Sequence, residues 1–401
     1  MSYTRNIRLM YLISLTSGLS FAASLVVPFF TENGLSQTQI MLLQTIFSVA
    51  IVLLDVPTGY VADRYGRAAS LIAGSVAIGV GFMGYAAVHG FWQFAAAEIF
   101  LGLGFALLSG ANEALVYDSL LADGRESYFR KYQANTQSLQ FAAVVIAAPI
   151  GSLIASKYGI RPVIFIDGSV ALLGTTACLL LREPPVQTSS EVDAAAAATH
   201  SPWASMRVVL RYCLHGHEQI PWLLLLSATL NGATYFGFWL APVYYGSVGI
   251  PLAWFGVILA VRSGLKVVMS QSHGWVNRHV SDGRQLVAYS VMSVVAYLAL
   301  AAVHQPVGIL FLGLFDIVQA LQGPLLSAKL HAVTPSHIRA QVMSVASLCR
   351  RGVYAVLGPL LGFSIDRSVG VGFLLAAMIF TALLWLSLVK LRQKGVFMAP
   401  L

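Results

Sequence analysis

The chain has 401 residues, of which 57% are hydrophobic and 10% are charged. Soluble domains carry about 25% charged residues, so this composition excludes an ordinary soluble fold and indicates a helical protein that crosses a membrane several times. The net charge of +8 comes mostly from Lys and Arg in short segments between apolar runs, which favours membrane topology over a nucleic-acid partner.

Twelve apolar runs follow one another along the chain, each long enough to form a helix that crosses a bilayer. We therefore predict an all-α membrane protein with twelve transmembrane helices. The runs lie at about 10–30, 39–62, 69–88, 91–120, 129–156, 161–181, 221–245, 252–275, 285–303, 307–331, 341–365 and 369–391.

The distribution of basic residues predicts the orientation of these helices. With both termini in the cytoplasm, 17 Lys and Arg residues fall in cytoplasmic segments and three, Lys157, Arg161 and Arg367, fall in external loops. Short cytoplasmic loops of membrane proteins carry an excess of Lys and Arg, so we expect a multi-pass protein of the plasma (inner) membrane with both termini inside.

The segment between the second and third runs, Leu54 to Arg67, carries the most specific motif. Its fixed positions follow the pattern G-x-x-x-D-R-x-G-R and are Gly59, Asp63, Arg64, Gly66 and Arg67. Glycine would allow close backbone approach in a tight charged turn. The pattern resembles the cytoplasmic signature of the major facilitator superfamily of secondary transporters. The resemblance implies two pseudo-symmetric six-helix halves that alternate access to a central site, and it implies that Asp118 pairs with Arg67 in a closed cytoplasmic gate.

The two predicted halves echo each other, because residues 147–162 and 358–370 place Pro and Gly at corresponding points before a charged turn. We assign residues 1–182 to the N-terminal half, 183–220 to a cytoplasmic linker and 221–401 to the C-terminal half. The linker contains apolar residues at helical spacing beside Arg207 and Arg211, which predicts either an amphipathic helix on the inner leaflet or an ordinary connection.

Acidic residues inside the runs of the first half are candidates for proton coupling. A carboxylate in a bilayer is costly and usually faces a cavity or a partner. Asp55 and Glu113 lie at similar predicted depth on neighbouring helices, so they form either a proton-carrying pair or a structural polar pair. Glu98 lies 15 residues before Glu113, within about 60° on a helix, and is the third candidate.

The second half instead carries basic residues inside its runs: Arg262, Lys266, Arg350 and Arg351. Asp316 is the expected counter-ion, and the surplus of positive charge favours an anionic or carboxylate-bearing substrate. An alternative is that one arginine only anchors helix packing. Asn231 and Tyr235, four residues apart, are candidate cavity residues.

These features predict a secondary transporter that exports a small organic solute in exchange for protons, such as a drug or a carboxylate-rich metabolite like a siderophore. Pro149 to Gly151 partly resembles the antiporter signature of exporter branches, which favours export. The alternatives are proton-coupled uptake of an organic anion and a receptor or assembly partner that transports nothing. We expect no enzymatic activity, cofactor or metal site, since no phosphate loop, catalytic triad or His or Cys cluster is present. We also expect a monomer.

Overall fold

The computed structural model of the protein describes residues 3–184, 209–335 and 338–395. Within these ranges the chain is helical and contains no β-strand, as the composition predicts. In the first range the helices are α1 (Thr4–Gly18), α2 (Val26–Glu32), α3 (Gln37–Tyr65), α4 (Arg67–Ala87), α5 (Phe91–Ala122), α6 (Phe129–Tyr158) and α7 (Ile160–Leu179).

The remaining described ranges contain a second set of helices. These are α8 (Ile220–Ser247), α9 (Ala253–Gln271), α10 (His273–His279), α11 (Asp282–Ala302), α12 (Ile309–Val333), α13 (Arg339–Arg367) and α14 (Val369–Gln393). The eighth predicted run is shorter than expected, because α9 ends at Gln271 and a separate short helix, α10, follows it.

Ten helices in the described part of the chain are long and apolar enough to cross a membrane. They correspond to ten of the twelve predicted runs, with ends within a few residues of those expected. The other two predicted crossings are the first run, which is divided between α1 and α2, and the eleventh, which is α13. Arg350 and Arg351 lie near the middle of α13.

The predicted amphipathic helix of the linker lies partly outside the described residues, including Trp203, Met206 and Arg207. From Val209 the chain is described, and it includes a π-helical turn over Tyr212–Gly216. Cys213 is buried in this turn, and Arg211 is exposed.

The described residues form two compact units. The first comprises those of Met1–Gln187 together with Gly249–Gly264, and the second comprises the rest. In the first unit small residues bring helices close together. A side-chain carbon added at Gly74 of α4 would come within 2.9 Å of the carbonyl oxygen of Gly104 on α5. Such contacts are a common way of packing membrane helices, because hydrocarbon offers no hydrophobic drive for their association.

The second unit is organised around α8, which packs against α11, α12, α13 and α14. Large aromatic side chains fill this core. The ring of Tyr297 stacks on Phe380 with centroids 5.4 Å apart, and its hydroxyl donates a hydrogen bond of 2.6 Å to the carbonyl of Ala233. Stacked and edge-on rings contribute beyond their buried area, so these contacts fix the position of α8 within its unit.

Candidate functional site

The signature turn joins α3 to α4 at Gly66. This residue has φ of 98°, a left-handed conformation that glycine adopts without steric cost. Directly after it, the guanidinium of Arg67 forms an ion pair with Asp118 of α5 and donates a hydrogen bond of 2.9 Å to the carbonyl of Ala114. The structure therefore brings together the two residues that the family resemblance pairs.

Other members of the signature are placed differently. Arg64 is exposed and donates a hydrogen bond of 2.8 Å to the hydroxyl of Tyr60, one turn earlier. A side-chain carbon at Gly59 would meet no described atom within 4 Å. Gly66 serves the turn through its conformation.

Glu183 is a contributor that the sequence did not reveal. Its carboxylate accepts hydrogen bonds from the backbone N–H groups of Arg67 at 2.8 Å and Ala68 at 3.0 Å. The first N–H groups of a helix have no partner within the helix, and the N-terminus attracts negative charge. The start of the linker therefore caps α4 at the signature turn.

Asp55 lies in a small cavity of about 170 Å³ beside the signature turn. Ser109 of α5 donates a hydrogen bond of 3.4 Å to its carboxylate. Asp63 and Arg67 line the same cavity. Asp55 therefore shares a cavity with two residues of the signature turn.

Glu113 lies in a different and larger cavity of about 530 Å³ in the first unit. This cavity is mostly polar, and α1, α5 and α6 contribute its lining, including Ser14, Asn112, Gln133, Thr136, Gln137 and Gln140. Asp55 and Glu113 thus line different cavities of the first unit. Equal depth along two helices does not fix which side of each helix faces which neighbour.

Glu98 is almost fully buried, with 2% of its surface exposed. Gln44 of α3 donates a hydrogen bond of 2.7 Å to its carboxylate, and Tyr85 of α4 is a second hydrogen-bond partner. Glu98 therefore lies among α3, α4 and α5, whereas Glu113 faces α1 and α6.

Asp167 is a buried acid of α7 that the sequence reasoning missed. Its carboxylate accepts hydrogen bonds from the backbone N–H groups of Phe21 at 2.7 Å and Ala22 at 3.0 Å. These two residues lie in the break between α1 and α2, where the N–H groups have left the regular helical pattern. The signal was available, because Asp167 is a fifth acid inside an apolar run of the first half.

In the second unit, Lys266 of α9 forms an ion pair of 3.5 Å with Asp316 of α12. Both residues are buried, with 8% and 1% of their surfaces exposed. The Lys266 ammonium also lies 6.0 Å from the ring centre of Phe238. Asp316 is thus a counter-ion of Lys266, as expected.

The other proposed substrate residues have different surroundings. Arg262, one turn before Lys266, is buried with 6% exposed, and Arg350 is half-buried. Tyr235 packs edge-on against the ring of Tyr354 at 4.7 Å, and Asn231 is half-buried one turn earlier on α8. Among the described residues, no group of three His, Cys, Asp or Glu side chains is placed to hold a metal ion.

Comparison with known proteins agrees with this architecture. The sequence model of the Major Facilitator Superfamily matches residues 9–359. A multidrug resistance protein, MdtG, of Escherichia fergusonii is 26% identical over 202 residues, covering 48% of each chain, so this chain matches about half the length of that relative. MdtG of Rahnella sp. is 25% identical over 319 residues, covering 78% of this chain and 73% of the relative.

The fold also matches solved structures over nearly its whole length. The nucleoside transporter NupG has a TM-score of 0.78 at 12% identity, covering 96% of this chain and 98% of that one. At this identity the likeness concerns the fold alone.

Proposed function

Because the chain belongs to the Major Facilitator Superfamily and is an integral membrane transporter, we propose that it exports a small organic solute in exchange for protons. The transport cycle would alternate access between the two sides of the membrane, with both termini in the cytoplasm and twelve helices in two halves. The relatives named as multidrug resistance proteins support efflux of drug-like solutes.

The observation that carries the proposal is the position of Glu113. Its side chain is exposed in a polar cavity of about 530 Å³, although α5 is apolar enough to cross a membrane. An ionisable group inside a membrane protein is retained at a cost and usually serves a pathway or a partner. A carboxylate that faces a cavity can take up a proton from one side and release it to the other, while solute and proton compete for it.

A second candidate, uptake of an organic anion with protons, is favoured by the buried cations. Within the second unit, Lys266 is more than nine-tenths buried and Arg350 is half-buried. Basic side chains buried in a membrane protein favour a carboxylate-bearing substrate. In this case protonation would assist binding of the solute, whereas in export it would oppose binding.

Transport into proteoliposomes tests the proposal. With a panel of labelled drugs and organic acids, an imposed pH gradient should drive accumulation of a solute by the natural protein. We expect Glu113→Gln to abolish this accumulation while preserving exchange of solute at equal concentrations, because the cavity remains but the proton carrier is lost. Glu126→Gln, which removes an exposed acid outside the cavity, is the matched control.

Solute binding measured at several pH values distinguishes export from uptake. Binding that weakens on acidification supports export, and binding that strengthens supports uptake. If Glu113→Gln still moves as many protons per solute molecule as the natural protein, another residue couples the proton to the solute, and the proposal is contradicted.

A further inference from the structure

The second unit contains an apolar groove between α11 and α14 that the transport proposal does not use. Its volume is about 710 Å³. Apolar side chains from both helices form its walls, among them Val287, Val291, Met292, Leu388 and Val389. A groove of this size falls in the range of small-molecule sites.

Two arginines lie at one end of this groove. Arg284 is in the first turn of α11 and Arg392 is in the last turn of α14, and both line the cavity and are exposed. Ser281 and Gly283 line the same end, where α11 begins. The first N–H groups of a helix carry partial positive charge, so they add to the attraction of an anion toward the two guanidinium groups.

Neighbouring acids do not neutralise these arginines. Asp282 pairs with Lys329 at 2.7 Å, and Glu218 pairs with Lys394 at 2.6 Å. Within the described ranges neither Arg284 nor Arg392 has an ion pair with an acid. The remaining positive charge at the end of the groove therefore comes from these two guanidinium groups.

The apolar walls continue away from the arginines along the same two helices. Val295 and Leu298 extend the exposed stripe of α11, and Trp385 extends that of α14, with 66% of its surface exposed. Their spacing places them on the face that already contains Val291 and Leu388. The surface is thus positively charged at one end and apolar along its length. It therefore complements a phospholipid, which has a charged headgroup and apolar chains.

We infer that this groove binds an anionic diacyl phospholipid, with the phosphate at Arg284 and Arg392 and an acyl chain along Val287, Val291 and Leu388. In the predicted orientation both arginines are cytoplasmic, and the cytoplasmic leaflet is where anionic lipids concentrate. Basic pockets between membrane helices on this side bind anionic headgroups in other proteins. The inference does not depend on the solute or on the direction of transport.

Native mass spectrometry of the full chain in detergent tests the site. We expect phosphatidylglycerol to bind the natural protein more tightly than phosphatidylethanolamine. In the double variant Arg284→Gln with Arg392→Gln, phosphatidylglycerol should bind about thirtyfold more weakly, since each basic residue near a lipid surface contributes about fivefold. The control, Arg5→Gln with Arg8→Gln, removes the same charge from the exposed face of α1 and should keep the natural affinity.

A second variant separates lipid binding from simple ion pairing. Val291→Trp keeps both arginines and fills the groove, so it should lose bound phosphatidylglycerol, whereas Val76→Trp on an exposed face of α4 should not. Equal affinity for the two lipids, natural affinity in the arginine double variant or in Val291→Trp, or complete displacement of the lipid by millimolar inorganic phosphate would each overturn the inference.

Discussion

At the scale of single residues, Asp167 connects α7 to the break between α1 and α2. The two N–H groups of Phe21 and Ala22 point at one carboxylate, which satisfies donors that a continuous helix would have paired internally. Ser20 adds a longer hydrogen bond of 3.4 Å. The break between α1 and α2 is therefore an ordered structure, with the carboxylate of Asp167 as its hydrogen-bond acceptor.

We expect Asp167→Asn to destabilise the protein by about 1–3 kcal/mol, because the amide offers one acceptor oxygen and turns its NH₂ group toward a backbone donor. The measurements are thermal unfolding in mild detergent and hydrogen exchange of residues 19–25, which should become faster. Ser169→Ala, on the same helix, is the control. Unchanged exchange of residues 19–25 in Asp167→Asn would show that the carboxylate does not hold the break.

The pair of Lys266 and Asp316 gives a second prediction at this scale. Removing Lys266 withdraws one compensating charge from the buried carboxylate of Asp316, so Lys266→Met should destabilise the protein by up to about 3–5 kcal/mol. Adding Asp316→Leu to that variant should recover part of the loss. Unfolding in detergent measures both variants.

The matched control for this pair is Lys329→Met, which breaks the ion pair with the half-exposed Asp282. Partly exposed pairs contribute about 0–1 kcal/mol, so its effect should be small. A stable Lys266→Met variant that has lost only solute binding would instead assign Lys266 to the substrate site alone.

At the scale of elements, the start of α4 depends on a residue far along the chain. Glu183 follows α7 in sequence, and its carboxylate caps α4 directly after the signature turn. The same segment is held by Asn6 of α1, which exchanges two hydrogen bonds with the backbone of Arg182 at 2.7 and 3.0 Å. Arg182 and Glu183 therefore connect α1 to the turn that holds Arg67.

We predict that Glu183→Ala destabilises α4 by about 1 kcal/mol, the usual cost of losing an N-terminal cap, and slows transport without preventing membrane insertion. Glu183→Gln, which keeps one acceptor oxygen, should be intermediate. Hydrogen exchange of Arg67 and Ala68 is the direct measurement, and Glu126→Ala is the control. Natural exchange rates in Glu183→Ala would rule out the capping role.

At the scale of the whole molecule, the basic residues predict the sidedness of every loop. With an impermeant thiol reagent added to intact cells, Lys157→Cys should react and Arg125→Cys should not, because 17 basic residues mark one side and three mark the other. Both positions are exposed, so accessibility within the protein is matched. Labelling of Arg125→Cys from outside would contradict the predicted topology.

The helices were predictable because apolar length and turn residues are local properties. The second run, expected at about 39–62, is Gln37–Tyr65 in the structure. Contacts between helices were harder to predict from the sequence. The rise per residue places Asp55 and Glu113 at similar depth but does not show that they line separate cavities. The cap by Glu183 could not be predicted either, because the sequence does not show which backbone N–H groups a side chain will bind.

The break between α1 and α2 has a consequence for synthesis of the chain. α1 has 15 residues and rises about 22 Å, which is shorter than the hydrocarbon core of about 30 Å, so neither α1 nor the seven-residue α2 can cross alone. The acceptor that holds their junction lies 145 residues beyond Ala22. At about 5–20 residues per second, the ribosome needs roughly 7–30 s to produce it. During this interval the nascent junction of α1 and α2 lacks the carboxylate that accepts hydrogen bonds from Phe21 and Ala22, so these two donors must be satisfied by water or by another group until α7 arrives.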